Sequence, residues 1–255
     1  MKRLESLQNP LVKAALALHR PGSRPRGEIL VEGEKLVREA LQSGAEVGTL
    51  FVTAEAAAAW SDQADRLAIV TPAVMRRLSQ LECPPTALAV VVPRAAPDLE
   101  RVLATATTLV VLDRVQDPGN LGTILRTAEG FTAGGVLLLR GSCSPGNPKV
   151  TRAAMGSSFR VPTLADLDGA DLLPRLRRAG FACLATGDGG TDLRAFPFPP
   201  RVALFLGAEG TGLAPALRDG CDHRLTIPMP GPIDSFNVAI ATAVCLYERL
   251  RQTPP

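Results

Sequence analysis

The sequence predicts an α/β protein, with a small N-terminal α/β domain and a larger C-terminal domain built on a parallel sheet. Two observations predict this fold class. Short apolar runs alternate with stretches of helical periodicity along most of the chain. Beyond residue 107 those runs are rich in Val and Leu with little polar alternation, which is typical of parallel strands covered on both faces.

The N-terminal domain is predicted over residues 1–93, followed by a linker at 94–107 that ends in a short helix. Apolar runs of strand length predict four strands: 29–31, 47–53, 67–70 and 87–92. Amphipathic or alanine-rich stretches predict three helices: 34–42, 54–66 and 72–81.

The C-terminal domain is predicted over residues 108–255. Its strands are predicted from six apolar runs: 108–115, 135–140, 160–163, 181–186, 202–206 and 224–228. Five helices are predicted between and after them: 120–130, 148–158, 169–179, 212–219 and 236–251. No internal repeat or low-complexity tract interrupts this order.

Composition excludes several classes of protein. Hydrophobic residues make up 46% of the 255 residues, enough for a packed core, and no apolar run is long enough to span a bilayer. The five cysteines are far apart and only two histidines exist, which favours reduced thiols and no metal site. The first residues lead into no secretory segment, so a cytoplasmic location is expected.

Charge is concentrated at the N-terminus. Residues 1–27 carry six basic side chains and one acid, a net charge of +5, whereas the whole chain has +3. Such an arm is typical of proteins that bind a phosphate backbone, and Lys13, Arg24 and Arg26 are its candidate contacts to that backbone. The alternative is an ordinary solvated terminus.

Three loop segments carry the candidate chemistry, and each follows a predicted strand, where open α/β sheets bind ligands. They are 117–128 (DPGNLGTILRTA), 206–213 (LGAEGTGL) and 227–239 (IPMPGPIDSFNVA). No dinucleotide-binding glycine pattern follows the first strand of this domain, and no Walker loop is present, which argues against standard nucleotide folds.

In the first segment we expect Asn120 to cap a helix, with Arg126 six residues later able to clamp a phosphate. In the second, Gly207 and Gly210 flank Glu209 and let backbone approach a ligand. In the third, prolines stiffen a loop that ends at Ser235-Phe236-Asn237, at the positive end of a helix. For an isolated segment, a surface arginine or an ordinary turn would explain the first two patterns.

Together the segments resemble the three signature motifs of the SpoU (TrmH-type) family of RNA ribose 2′-O-methyltransferases. The segment 151–162 is similar to the family's middle helix and next strand, and 238–248 to its last helix. Residues 1–93 look like its N-terminal RNA-substrate domain, a ribosomal-protein-like α/β fold. Phe236 stands where the family commonly has leucine.

The resemblance implies a deep trefoil knot in the C-terminal domain and S-adenosylmethionine as cofactor, without a metal. By position, the implied cofactor contacts are Gly207, Ile227, Phe236, Leu206, Met229 and Thr186. The residues that match the family's catalytic site are Asn120, Arg126, Glu209, Ser235 and Asn237. Because a guanidinium holds its proton tightly, we expect Arg126 to bind RNA phosphate and supply electrostatic stabilisation instead of acting as a base.

The leading hypothesis is methyl transfer to a ribose 2′-hydroxyl of ribosomal RNA. A transfer RNA substrate is the alternative within the same chemistry, and a catalytically silent RNA-binding protein is the alternative outside it. A small-molecule nucleotide enzyme is disfavoured because the phosphate loops are missing. The last predicted helix is apolar nearly all round, with Ile240, Val244 and Tyr247 on one stripe, so we expect a homodimer that buries this stripe. The alternative is a helix enclosed within its own chain.

Overall fold

Residues 2–19, 27–95, 97–208 and 210–252 are described by the computed structural model. The chain divides into two units, Met1–Ala95 and Ala96–Pro255. Within the described residues, no helix has both the length and the apolar character needed to cross a membrane.

The first unit is a five-stranded mixed sheet with helices packed on it. Its strands are β1 (Lys2–Leu4), β2 (Ile29–Glu32), β3 (Glu46–Thr53), β4 (Leu67–Val70) and β5 (Ala87–Val92), in the order β1-β4-β3-β5-β2. Its helices are α1 (Pro10–Ala17), α2 (Glu34–Gln42) and α3 (Pro72–Leu78). Pairing is parallel from β1 through β4 to β3, and antiparallel where β5 joins β3 and β2.

Two features of this unit differ from the sequence-based prediction. The edge strand β1 and the helix α1 were not predicted, because both are short and lie in the basic N-terminal segment. The predicted helix over 54–66 is wrong: only a 3₁₀ helix, Ala57–Gln63, forms there, and it kinks at Trp60. The indole of Trp60 is fully buried, so packing of this side chain outweighs the helix preference of the surrounding alanines.

The second unit contains a six-stranded sheet in which every pairing is parallel, as predicted. Its strands are β6 (Thr108–Asp113), β7 (Gly135–Leu139), β8 (Thr163–Leu167), β9 (Ala182–Asp192), β10 (Val202–Gly207) and β11 (His223–Thr226). Their order across the sheet is β11-β9-β10-β6-β7-β8. This order places the ends of β6, β10, β9 and β11 side by side.

Helices cover both faces of this sheet. They are α4 (Leu99–Thr105), α5 (Pro118–Gly130), α6 (Pro148–Ala154), α7 (Gly169–Arg178), α8 (Pro215–Gly220) and α9 (Val238–Gln252). Alternate residues of β6 show the two layers. Val110 and Leu112 pack in a core with residues of α5, α6 and α9, whereas Leu109 and Val111 pack in a second core with residues of α4, α7 and α8. Burial on both sides explains the unbroken apolar runs of the sequence.

Several boundaries in this unit differ from those predicted. The strand expected over 181–186 continues to Asp192, and the helix expected over 148–158 ends at Ala154. The strand expected at 160–163 begins at Thr163, because a 3₁₀ turn, Ser157–Phe159, occupies the preceding residues. The helix expected from 212 begins at Pro215, since the chain before it folds back on β10. The helix expected from 120 begins at Pro118, with Asp117 as its cap. The trefoil knot stays a prediction.

Candidate functional site

A cavity of about 510 Å³ opens at the carboxyl ends of β9, β10 and β11, the edge at which open parallel sheets bind ligands. Its walls are the ends of these strands, the loop between β10 and α8, and the chain that leads into α9. All six predicted cofactor contacts and two predicted catalytic residues line it: Thr186, Leu206, Gly207, Ile227, Met229, Phe236, Ser235 and Asn237. The structure therefore brings together parts of the second and third signature segments.

The floor of the cavity is the end of β10, where the chain turns back over Gly207. Ala208 and Gly212 form an isolated antiparallel bridge, and the Gly212 N–H donates to the Ala208 carbonyl at 2.9 Å. A Cβ atom on Gly207 would overlap backbone atoms of Gly212 and Leu213. The fold of this loop therefore requires glycine at position 207. The sequence had predicted glycine here only for close approach of a ligand.

The side wall at the end of β9 is held by two threonine hydroxyls. Thr186 donates to the Phe205 carbonyl at 3.0 Å. Thr226 donates to the Gly187 carbonyl and accepts from the Gly190 N–H, both at 2.7 Å. These bonds tie the long end of β9 to its neighbours β10 and β11, so the wall has a defined shape before any ligand binds.

The third signature segment enters the site just before α9. Asn237 accepts hydrogen bonds from the Ala239 N–H at 2.9 Å and the Ile240 N–H at 3.4 Å, which caps the helix. Ser235 and Phe236 precede it and are exposed, with Phe236 presenting 37% of its surface. A serine hydroxyl, an aromatic ring and an amide therefore lie together at the mouth of the cavity.

Asn120 joins this mouth from a different strand end. The side-chain N–H of Asn237 donates to the side-chain oxygen of Asn120 at 3.0 Å. The prediction that Asn120 caps α5 is wrong. Asp117 caps this helix, because its carboxylate accepts from the Asn120 backbone N–H at 2.8 Å. The side-chain oxygen of Asn120 faces the mouth of the cavity instead, where it accepts from Asn237.

Arg126 lies one and two-thirds turns further along α5, on an exposed stripe with Thr123 and Gly130. It is not among the residues that line the cavity. The structure therefore separates the predicted catalytic residues into a group at the cavity mouth and an exposed guanidinium on the adjoining helix.

Four further residues were predicted to belong to the site or to contact RNA. Lys13 is exposed on α1, in the first unit. Glu209, Arg24 and Arg26 lie outside the described residues.

Two carboxylates in the cavity were missed by the sequence-based prediction. Asp188 and Asp234 are its only ionisable lining residues in the part of the chain that is described, and no cationic side chain accompanies them. The signal for Asp188 is the run Gly187-Asp-Gly-Gly190, which directly follows the predicted strand 181–186, and Asp234 directly precedes Ser235. A cavity with this lining favours a ligand that carries a positive charge.

The cavity fits S-adenosylmethionine in size and in chemistry. Its volume is in the range of small-molecule sites, and its lining combines apolar side chains with exposed backbone groups near glycines. The two carboxylates match the positive sulfonium and ammonium groups of that molecule. The residues that would hold it are therefore those at the ends of β9 and β10 and in the chain before α9.

Other chemistries find little support in the described residues. They contain no group of three or more His, Cys, Asp or Glu side chains placed to hold a metal ion. Burial raises the pKa of the Cys183, Cys221 and Cys245 thiols to about 12, so these cysteines stay protonated and are poor nucleophiles.

Comparison with known families identifies the family of this chain and agrees with its fold. The model of the SpoU rRNA Methylase family matches residues 107–247, and that of the MRM3-like substrate binding domain matches residues 9–89. The chain belongs to the SpoU rRNA methylase family. This SpoU-family protein is 32% identical over 251 residues to the 23S rRNA (guanosine(2553)-2′-O)-methyltransferase RlmP of Bacillus subtilis. The alignment covers 97% of this chain and 98% of that relative.

Solved structures agree over the same length. The AdoMet-bound rRNA methyltransferase of Sinorhizobium meliloti is 31% identical with a TM-score of 0.87, covering 100% of this SpoU-family chain and 99% of its own. The SpoU methyltransferase AviRb of Streptomyces viridochromogenes, in complex with the cofactor AdoMet, is 30% identical with a TM-score of 0.83, covering 96% and 98%. The predicted family and fold class are confirmed.

Proposed function

We propose that this protein transfers the methyl group of S-adenosylmethionine to a ribose 2′-hydroxyl of RNA, and that ribosomal RNA is its substrate. The Asn120–Asn237 hydrogen bond carries this proposal, since it joins the first and third signature segments at the mouth of the cavity. Family membership, with AdoMet-bound and rRNA-modifying relatives, confirms the predicted enzyme class and cofactor.

The cofactor would lie in the cavity described above. Gly207, Leu206 and Thr186 would contact it from the strand ends, and Ile227, Met229 and Phe236 from the third segment. Bound there, S-adenosylmethionine supplies a methyl group on a positive sulfonium, which needs no metal for activation. The task of the protein is then to orient the RNA hydroxyl and assist loss of its proton.

The acceptor hydroxyl would be positioned by the polar groups at the cavity mouth. Asn237 is held in place by its two roles, as cap of α9 and as donor to Asn120. Ser235 is exposed beside it and free to meet a ribose. We assign Arg126 to the RNA phosphate, because its exposed position on α5 suits a charge that reaches a backbone. Glu209 would brace the loop in which it lies.

RNA would also contact the first unit. Val12 of α1 and Met75 of α3 belong to one core cluster, so both helices cover the same face of the sheet. The outer side of this pair exposes Lys13, Arg76 and Arg77, and neither helix contains an acid. None of these three cations forms an ion pair with a described residue. Arg24 and Arg26 would extend the basic surface.

The helix on the opposite face provides a control for this surface. On α2, Lys35 and Arg38 are balanced by Glu34 and Glu39. Replacing Arg76 and Arg77 with Gln should weaken RNA binding and lower its salt dependence by about one unit of slope for each lost phosphate contact. Replacing Lys35 with Gln should leave both unchanged. Equal effects from the two faces would contradict this assignment.

We also propose a homodimer with the active site near its seam. On α9, Ile240 is 49% exposed and Tyr247 58%, whereas Cys245 and Leu246 on the other side are buried. An apolar stripe of this kind is covered in most stable proteins. Ile240→Glu should convert the dimer to a monomer in light scattering; a wild-type mass near 26.8 kDa would reject the dimer.

The deep knot and a cytoplasmic location complete the proposal. The family resemblance supports the first, and a ribosomal RNA substrate agrees with the second. The N-terminal region would bind substrate and residues 108–255 would carry the methyltransferase activity.

The decisive experiment measures methyl transfer in vitro. Purified protein, labelled S-adenosylmethionine and either ribosomal or transfer RNA are incubated, and digested nucleosides are separated by mass spectrometry. We expect a 2′-O-methylnucleoside from ribosomal RNA. Methylated transfer RNA alone would favour the alternative substrate. Binding of RNA without any transfer would favour a silent binding protein, and a methylated base would overturn the proposed chemistry.

A further inference from the structure

The loop that follows β10 is held by a partly buried ion pair at the end of the neighbouring strand β6. Asp113 is the last residue of β6, and its side chain is only 6% exposed. It pairs with the next residue, Arg114, through two hydrogen bonds of 3.1 and 3.0 Å. Neither residue lines the cavity described above.

Both members of the pair also contact that loop. Asp113 accepts from the Ala214 backbone N–H at 2.9 Å, and Arg114 donates to the Gly212 carbonyl at 3.3 Å. Gly212 and Leu213 are cavity-lining residues, and they are also the backbone against which Gly207 packs. One carboxylate and one guanidinium therefore hold two points of the segment that forms the cavity wall.

The backbone at Arg114 is strained in order to make these contacts. Its φ is +57°, in the left-handed region that side chains other than glycine, asparagine and aspartate seldom adopt. An ordinary turn would place glycine here. The arginine side chain at this strained position makes the contacts with Asp113 and Gly212 that a glycine could not make.

We propose that Asp113 and Arg114 are positioning residues for cofactor binding. They touch neither cofactor nor RNA; they preorganise residues 212–214, so that the loop is in its binding geometry before S-adenosylmethionine arrives. Without the pair, the loop samples other conformations. The affinity for S-adenosylmethionine then falls in proportion to the fraction of molecules that remain in the binding geometry. This inference rests on the proposed function, because it concerns the same cofactor cavity.

The test separates cofactor affinity from stability. Asp113→Asn removes the negative charge of the pair. Arg114→Gly removes the guanidinium and also relieves the backbone strain of the positive φ. A matched control is Arg140→Gln, because Arg140 forms a 2.7 Å ion pair with Asp168 beside the ends of β7 and β8, and neither residue is bonded to residues 212–214. All variants are full-length chains, and calorimetry with S-adenosylmethionine gives the dissociation constant.

We expect both variants of the pair to raise that dissociation constant about tenfold, the scale of losing one charge-assisted contact. The KM for the cofactor should rise in parallel while kcat changes less than about threefold. Arg114→Gly should keep or raise the thermal midpoint measured without cofactor. If Arg114 had only a structural role, a loss of affinity would come with a loss of stability. The Ala214 amide should exchange hydrogen faster in Asp113→Asn.

Wild-type affinity in Arg114→Gly, or equal loss in Arg140→Gln, would overturn the inference even if Asp113→Asn fails to fold. Failure of the proposed function has a different result. In that case the wild-type protein itself binds no S-adenosylmethionine, and the inference falls with it.

Discussion

The side-chain amide of Asn237 donates to the side-chain oxygen of Asn120 at 3.0 Å, although 117 positions separate them in sequence. The other end of the Asn237 amide caps α9. One side chain thus ties the first turn of α5, the start of the last helix and the mouth of the cavity together. The first prediction follows from this double role.

Asn120→Ala and Asn237→Ala should differ in stability but agree in activity. Both remove the bond between the two amides, so kcat should fall about tenfold to a hundredfold in each. Only Asn237→Ala also removes a helix cap, which should lower the free energy of unfolding by about 1 kcal/mol. Urea unfolding and single-turnover kinetics measure the two effects. In the double variant, a loss of kcat equal to the product of the single losses would show that the residues act independently.

Arg126→Ala should lower turnover by about a hundredfold or more while leaving the affinity for S-adenosylmethionine unchanged. The physical reason is that an exposed charge on α5 would act on the RNA, as proposed, whereas the cofactor cavity is lined by other residues. Arg126→Lys should retain part of the rate, because it keeps the charge and loses the planar fork. Arg101→Ala, a change at another exposed arginine, is the control. A near-wild-type rate in Arg126→Ala would contradict the assignment.

Gly207→Val should abolish cofactor binding by displacing the loop over β10. A side chain there would overlap the backbone of Gly212 and Leu213, so the loop must move before any ligand can enter. Gly130→Ala adds a methyl group where no atom lies within 4 Å and serves as the control. Calorimetry measures binding, and circular dichroism checks that the sheet persists. Binding by a folded Gly207→Val variant would show that the loop tolerates the change.

The two cavity carboxylates should favour the charged cofactor over its product. S-adenosylmethionine carries one more positive charge than S-adenosylhomocysteine, and Asp188 and Asp234 are acids without a cationic partner in the cavity lining. Asp188→Asn and Asp234→Asn should each reduce the ratio of the two affinities about twofold to fivefold, since both groups are exposed and partly screened. The preference should also shrink with added salt. An unchanged ratio in both variants would exclude this electrostatic role.

Stability should fall in acid through Glu248 on α9. Hydrogen bonds from Arg251 and Gln252 lower the pKa of this carboxyl from 4.5 to about 2. A lowered folded-state pKa stabilises the protein fully above about pH 4.5, and this contribution is lost as the pH falls toward 2. Urea midpoints at pH 7 and pH 3 should therefore differ less in Glu248→Gln than in the wild type. An identical pH dependence would show that the group does not contribute.

Local patterns in the sequence predicted most of the second unit. Apolar runs of Val and Leu located its six strands, because a strand buried on both faces needs an unbroken apolar run. The second and third signature segments contain five of the six predicted cofactor contacts, and Thr186 is the sixth; all six line one cavity. Boundaries were less accurate where a polar residue competes to cap a helix: Asp117 takes the position expected for Asn120, since its carboxylate accepts the backbone N–H three residues on.

By itself, then, the sequence determined the fold class, the family, the reaction and the strand ends that carry it. The tertiary structure decided which of those ends meet. The sheet order places β6 beside β10, which brings Asp113 and Arg114 against residues 212–214. Packing of α5 against α9 on one face of that sheet joins Asn120 to Asn237. Such contacts between distant segments leave no local periodicity, because they depend on strand order, which is set by packing of the whole core.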